Sequence, residues 1–490
     1  MKMKMKTWHH RAFLGLGLAT VAGPATAQTW QPIPLVTAGM RQAGLEGGEG
    51  AQVVRSLAVS PSDPRFLIMG TDVGGIYRSL DAGRHWQVCM PGWLARGGDA
   101  FAIDPRNPDR LIGLGGNSID WNPAWGPSPD GLYLSTDRGA SWRQVLPRPE
   151  ANENRPGALA WDPASYDAGR GCCTVAYFES RDGGLFKTTD GGATWAHVND
   201  RAGAVLAVHP TRGHVYLADN SPDGHGFYKS TDGGATFRRV NDDYTLDLDV
   251  IPTRPDSVYV ARWDKVLVST DAGETFRAVG ANAGLPDKTP VAVIRVSPSD
   301  PRDMLCSHGG AQWWQTFSYA SHDGGASWRP VTYDRAKLFL PFTQPGSHFA
   351  FDPVHPGVAF SDLNTNGSIV KTIDGGATFH WSNDGENAVM VGGSFGFSPA
   401  SPASVFLSFQ DFNGAVTRDG GRTWAYCNPS GQGWGGFGYG GFALDASVMW
   451  TGDAPGWGLI LSLKSGHVAG RLTETPPPDP GACASPTRGS

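Results

Sequence analysis

The 490-residue sequence predicts an all-β fold, a β-propeller of four-stranded blades, from three observations. An eight-residue pattern recurs: Ser or Thr, any residue, Asp, any residue, Gly, two residues, then Trp or Phe. Short alternating segments flank each copy. Gly numbers 67, Pro 37 and Trp 18 while charged residues make up only 18%, a balance that suits turn-rich sheets and not helices.

The eight copies run from SLDAGRHW (Ser79 to Trp86) to TRDGGRTW (Thr417 to Trp424), and their Asp residues lie 56, 53, 42, 39, 52, 51 and 45 positions apart. That period is the size of one four-stranded blade. Segments such as GIYRS, GLYLS and KVLVS precede the copies, and WRQVL or FRRV follow them. Each copy therefore reads as a hairpin turn whose Asp accepts backbone N–H groups, whose Gly takes positive φ, and whose ring packs. Two more strands lie upstream, for example RSLAVSP and FLIMGTD in the first unit. After the eighth copy, Gly440 to Arg471 reads as four strands without the motif. The propeller is thus expected to hold eight or nine units in one ring, or seven plus a truncated second propeller. A segment from Trp30, WQPIPL, could supply a closing strand.

The chain ends carry separate signals. Lys2, Lys4, Lys6 and Arg11 precede the apolar run from Ala12 to Ala22 and the small residues Ala25 to Ala27, the pattern of a signal peptide over 1–27. A twin-arginine signal is the weaker reading, because His10 precedes Arg11. The propeller is expected over 28–472, with a disordered Pro-rich tail over 473–490. The expected product is secreted or periplasmic, without a membrane span, and monomeric. Forty basic against 46 acidic side chains leave a net charge of −6 with no basic block, which argues against nucleic acid as a partner. Six cysteines show no zinc-ligand spacing, so no metal or other cofactor is expected. The adjacent Cys172 and Cys173 could form a vicinal bridge or remain thiols.

In such a blade the turn between strands three and four, which holds the motif, lies on one face. The turns between strands two and three and the links between blades lie on the other. Loops on a rigid scaffold are where function concentrates. Trp93, Trp121, Trp125, Trp263, Trp313, Trp314, Trp434 and Trp457 all map to this second face, with Asp, Asn and Glu between them. One such Trp would be read as packing; eight together point to a surface that stacks on sugar rings, with polysaccharide or oligosaccharide as partner.

The motif resembles the Asp-box (BNR-type) repeats of neuraminidases and other propeller proteins, a likeness that speaks for fold more than activity. Within the first unit, GTDVGGIYRS resembles a segment of glycoside hydrolase family 74, the xyloglucan-cleaving endoglucanases. The resemblance implies that Asp72 is one of two catalytic carboxyl groups, and Asp72 lies on the loop face by independent argument. An inverting hydrolase needs a second carboxyl roughly 6.5 to 9.5 Å away. Unit counting makes Asp411 the counterpart. Asp453 fits the local pattern, and closure of one large ring would bring it beside Asp72; Asp120 and Asp362 are weaker. Family members carry two seven-bladed propellers enclosing a cleft, so a truncated second propeller would leave the cleft incomplete.

Other signals are slighter. GGSFG (Gly392 to Gly396) fits a nucleophile-elbow pattern but begins a strand. Asp247 and Asp249 alternate with leucine and could face the central channel, where satisfied polar groups are the simpler reading than Ca²⁺. Tyr333, Arg335 and Lys337 share one inter-blade loop, which suggests a polysaccharide lyase. The alternative of another kind is a non-catalytic propeller that binds a glycan or protein, in an assembly or sortilin-type role.

Overall fold

The chain folds as β-sheet after β-sheet in a computed structural model that describes residues 53–471, apart from 119–126, 148–156, 182, 204, 287–289, 310–315, 335–343, 365–368, 383–391, 399, 410–412, 421–424, 428–437, 444–447, 454–456 and 463–467. The signal-like start, the Trp30 segment and the C-terminal tail lie outside the described residues. Among the described residues, nine sheets of at least four strands follow one another, their consecutive strands antiparallel and ordered as in the chain, and a two-stranded pair, Tyr166–Asp167 with Cys172–Cys173, lies inside the third. The nine sheets are blade 1 (54–88), blade 2 (97–147), blade 3 (159–199), blade 4 (205–241), blade 5 (245–278), blade 6 (291–330), blade 7 (344–381), blade 8 (392–427) and blade 9 (438–471). Blade 7 gains a fifth strand, Thr332–Tyr333, paired parallel to Thr378–Trp381. No described helix is long and apolar enough to cross a membrane.

Seven blades close the ring. The first strands of blades 1 to 7 pack side by side around a channel, and the first strand of blade 7 (Gln344–Phe351) packs against that of blade 1 (Val54–Val59). Three hydrogen bonds join the ends: Trp86 Nε1 donates to Ser382 O (2.7 Å), Ser382 Oγ to Gly83 O (2.8 Å) and Lys371 Nζ to Ala82 O (3.1 Å). A single ring of eight or nine blades is therefore ruled out, because the seam next to blade 1 is occupied by blade 7. The expectation that ring closure brings Asp453 beside Asp72 falls for the same reason. Blades 8 and 9 pack on each other through Gly392–Phe397 and Gly438–Ala443.

The recurring motif forms the turn between strands three and four. In the first copy Ser79 Oγ donates to Asp81 Oδ1 (2.9 Å), and the Gly83 amide donates back to Ser79 Oγ (2.9 Å). The His85 amide donates to Asp81 Oδ1 (2.9 Å). The same set recurs around Asp137, Asp190, Asp232, Asp271, Asp323 and Asp374. Donors from Thr236 and Ser230 hold the Asp232 carboxyl down at about 2. These carboxylates are consumed by their turns, as their local spacing predicts.

In blades 2 to 7 the aromatic ring that ends the motif packs toward the preceding blade. Trp142 of blade 2 donates from Nε1 to Cys89 O (2.9 Å) and lies in the core shared with blade 1. Phe276 of blade 5 meets Phe227 of blade 4 edge-on at 4.9 Å. Trp328 and Phe379 fill the next two seams in the same way. Cys89, Cys172, Cys173 and Cys306 are buried thiols, so the vicinal bridge does not form.

Beside the apolar core around Trp328, the first strands of blades 5 and 6 are joined by polar contacts. Asp247 Oδ2 accepts from the Ile294 amide (2.8 Å) and from Arg295 Nη1 (2.5 Å), and Asp249 Oδ2 accepts from the Val296 amide (2.8 Å). The pair is thus occupied by protein donors. Burial pushes Asp249 up to about 7 against the pull of Arg295. With an unfolded value of about 3.9, the folded chain holds the extra proton between those limits, so stability falls as pH rises from about 4 to about 7 and is level above. Asp249→Asn keeps an acceptor for the Val296 amide and cannot ionise. Its melting temperature relative to the native chain should climb from pH 5 to pH 8; a pH-independent difference would contradict the assignment.

Candidate functional site

The site is built where blades 1 and 2 meet on the loop face. Asp72 follows the second strand of blade 1 (Leu67–Thr71) and precedes the third (Ile76–Ser79), so it stands at the opposite end of strand three from the Asp81 turn. Thr71 closes this turn twice on Gly75 O, through its amide (3.0 Å) and its hydroxyl (2.9 Å). Gly75 sits at φ 78°, and a Cβ there would lie 2.2 Å from Met90 Sδ. No side chain could replace it without opening the turn.

Contacts from its own blade and from blade 2 hold Asp72. Its amide donates to Val53 O (3.0 Å), the Val53 amide donates to its Oδ1 (3.2 Å), and Asn117 Nδ2 of blade 2 donates to its carbonyl (2.7 Å). The residue is only 8% exposed. Blade 2 comes this close because its first strand opens with glycine: a Cβ on Gly97 would lie 2.3 Å from Asp72 O, and one on Gly70 only 2.0 Å from Gly98 O. Beneath the turn, Arg55 Nη1 pairs with the buried Asp99 (3.2 Å). A carboxyl whose backbone is fixed from two blades keeps its position, as general acid–base chemistry needs.

The other anticipated residues fall on several blades or outside the described residues. Asp411 lies outside the described residues, in the chain between the second strand (Val405–Phe409) and third strand (Asn413–Thr417) of blade 8. Asp453 ends the second strand of blade 9 (Val448–Asp453), paired through its backbone with Gly438 and Trp457. Asp362 is buried and bound to His348, whose amide and ring both reach it (2.9 and 3.2 Å). Asp120 lies outside the described residues, as do Arg335 and Lys337. Tyr333 is buried, with its hydroxyl on Ser318 Oγ (3.2 Å).

Among the tryptophans, Trp93 corrects the sequence expectation. It is fully buried and stacked on Tyr133 at 4.4 Å, with Trp142 edge-on at 5.0 Å. The room for it comes from Gly113 and Gly115, whose added Cβ atoms would meet the indole at 2.7 and 3.2 Å. Trp263 lies between strands two and three of blade 5 and is 57% exposed. Trp121, Trp125, Trp313, Trp314 and Trp434 lie outside the described residues. Trp457 begins the third strand of blade 9 (Trp457–Ser462).

A cavity of about 1060 Å³ lies in the ring, lined by inner-strand residues and by loop-face residues of blades 3 and 4. Its charges are met internally: Arg295 by Asp247, and Arg201 by Asp219 at 3.7 Å. Among the described residues no group of His, Cys, Asp and Glu is arranged to hold a metal ion.

No protein-family profile matches the sequence. Two of the solved structures that the chain resembles over most of its length illustrate the likeness. They are the GH74 xyloglucanase from Xanthomonas campestris (TM-score 0.60, 20% identity, 85% of this chain and 73% of that one) and the GH74 enzyme of Niastella koreensis (TM-score 0.60, 18% identity, 84% and 72%). The chain has a GH74-like propeller fold. Curated xyloglucanases match shorter stretches. One from Paenibacillus is 29% identical over 193 residues, and one from Hypocrea jecorina is 30% identical over 198. Each match takes in 38% of this chain, but only 17% and 21% of those relatives.

Proposed function

We propose that this chain is a secreted glycoside hydrolase that cuts the backbone of xyloglucan or a related β-glucan internally, with Asp72 as one catalytic carboxyl. The observation that carries this reading is the Asp72 turn. It stands on the loop face, fixed by backbone and by a neighbouring blade, in the segment that resembles the family-74 motif. The partner carboxyl is assigned to Asp411, which falls in blade 8 between the strands that correspond to those flanking Asp72 in blade 1; Asp453 in blade 9 is the second choice. In an inverting reaction one carboxyl protonates the leaving oxygen while the other activates water on the opposite side of the sugar. Similarity to xyloglucanases supports the substrate class.

The test is release of reducing ends from xyloglucan and a panel of β-glucans by the purified chain. Viscosity falling faster than reducing ends appear marks internal cutting. Binding without product, unchanged in Asp72→Asn, would instead establish a non-catalytic glycan-binding propeller.

Exposed Trp263 is assigned to sugar stacking. Trp263→Ala should raise KM about two- to tenfold with kcat nearly unchanged, the pattern of an interaction equal in ground and transition states. An unchanged KM would remove blade 5 from the binding surface.

A further inference from the structure

The contact of Asn117 with Asp72 is itself supported by a second polar residue of blade 2, Asp130. Asn117 follows the second strand of that blade (Leu111–Gly116) and takes φ 70°, a left-handed conformation that Asn tolerates better than most residues. Its amide reaches across the seam to Asp72 O at 2.7 Å. The next residue, Ser118, donates its backbone N–H to Asp130 Oδ2 (3.3 Å), and Asp130 directly precedes the third strand (Gly131–Ser135). Asp130 is itself held firmly. Its amide donates to Ser128 Oγ (3.1 Å), while Gln144 Nε2 donates to the carbonyls of Ser128 (2.8 Å) and Asp130 (3.1 Å). The Tyr133 hydroxyl donates to Pro129 O beside it.

Asp130 is 6% exposed, and its Oδ1 has no hydrogen-bond partner. A buried ionised carboxylate with one oxygen unanswered is costly, and burial pushes this group upward against the pull of Ser118. Closing the base of a long loop would need Asp130 and Ser118 but not a strained Asn whose amide binds a residue of another blade. The contact with Asp72 is what the bend at Asn117 accomplishes.

We propose that Asn117 and Asp130 are positioning residues for Asp72: Asp130 fixes the bend at Asn117 and Ser118, and Asn117 holds the Asp72 peptide so that its carboxyl stays in place. This rests on Asp72 acting as a catalytic carboxyl, and the experiment separates the two ideas.

The full chain is prepared as Asn117→Gly, Asp130→Asn, Asp130→Ala and Asp72→Asn. Asn117→Gly accepts the same φ and lacks the amide; Asp130→Asn keeps the acceptor oxygen for the Ser118 N–H. Hydrogen exchange is read on the peptide spanning Thr71 to Gly75, with Ser79 to Trp86 at the other end of the strand as internal control. Asn117→Gly and Asp130→Ala should speed exchange of the first peptide about tenfold, the size expected for one lost hydrogen bond, and leave the control unchanged. On xyloglucan they should lower kcat up to about 10²-fold with KM held within a factor of about two, as small misplacements of a catalytic group do. Asp130→Asn should behave as the native chain. Unchanged exchange in Asn117→Gly overturns the clamp. Faster exchange with native kcat, while Asp72→Asn is inactive, overturns its role in catalysis. If Asp72→Asn remains active, the functional reading fails, and the exchange arm still decides whether the clamp exists.

Discussion

Asp72→Asn is expected to lower the rate of xyloglucan hydrolysis by about 10²- to 10⁴-fold, the range of a general acid or base removed from a reaction. The substitution is nearly isosteric. The Val53 amide can still donate to the remaining carbonyl oxygen, and the backbone bonds to Val53 O and from Asn117 Nδ2 do not involve the carboxyl. Folding should therefore survive, so that melting temperature and binding of uncleaved polysaccharide stay close to native while product formation collapses. The pH–rate profile supplies a second check, because removing one of two carboxyl groups should erase one limb of a bell-shaped curve. Native turnover in Asp72→Asn would end the hydrolase reading in its present form.

Trp86→Ala should have the largest effect on stability, about 3–5 kcal/mol for an aromatic core residue. Trp86 is 4% exposed and packs among Leu67, Met69, Phe360 and Ile369, at the one seam whose two sides are far apart in sequence. Trp86→Phe should recover most of the loss, because it restores the ring and forfeits only the bond to Ser382 O. The equivalent Trp195 is only partly buried, and its nitrogen donates within its own turn to Gly192 O (3.2 Å). Trp195→Ala should accordingly cost less than Trp86→Ala. Equal shifts in urea midpoint for the two alanine variants would mean that the closing seam is no weaker a point than any other.

The sequence is most informative where the physics is local. Each Asp turn is complete within eight residues, so Asp81 and its counterparts announce both the fold and the face to set aside. Asp72 is legible for a related reason: Thr71, Gly75 and the strands on either side lie within ten positions. The blade number of the ring is not local. It depends on Phe360 meeting Trp86 and on Ser382 meeting Gly83, contacts that no repeat count contains. Trp93 misleads because PGWLARGGD reads as an exposed link, whereas the slot that takes its ring is made by Gly113 and Gly115, two positions apart in LIGLGG. That spacing is visible in the sequence and could have flagged a buried partner. Asn117 and Asp130 are missed because a polar residue beside Gly, Ser and Pro looks like ordinary turn chemistry; only the approach of blade 2 to blade 1 makes Asn117 a neighbour of Asp72.

Ring closure also sets a timetable for synthesis. Trp86 donates to a carbonyl 296 residues further along the chain. At roughly 5–20 residues per second on the ribosome, about 15 to 60 s pass between the appearance of the two groups. During that interval blade 1 presents an apolar flank, with Leu67, Met69 and Trp86, that its own neighbours cannot cover. Growth of the ring is therefore directional, and its closing step joins blade 1, the first blade made, to blade 7, the last blade of the ring. A chaperone, or an export apparatus that keeps the nascent chain unfolded, would have its greatest effect in that window.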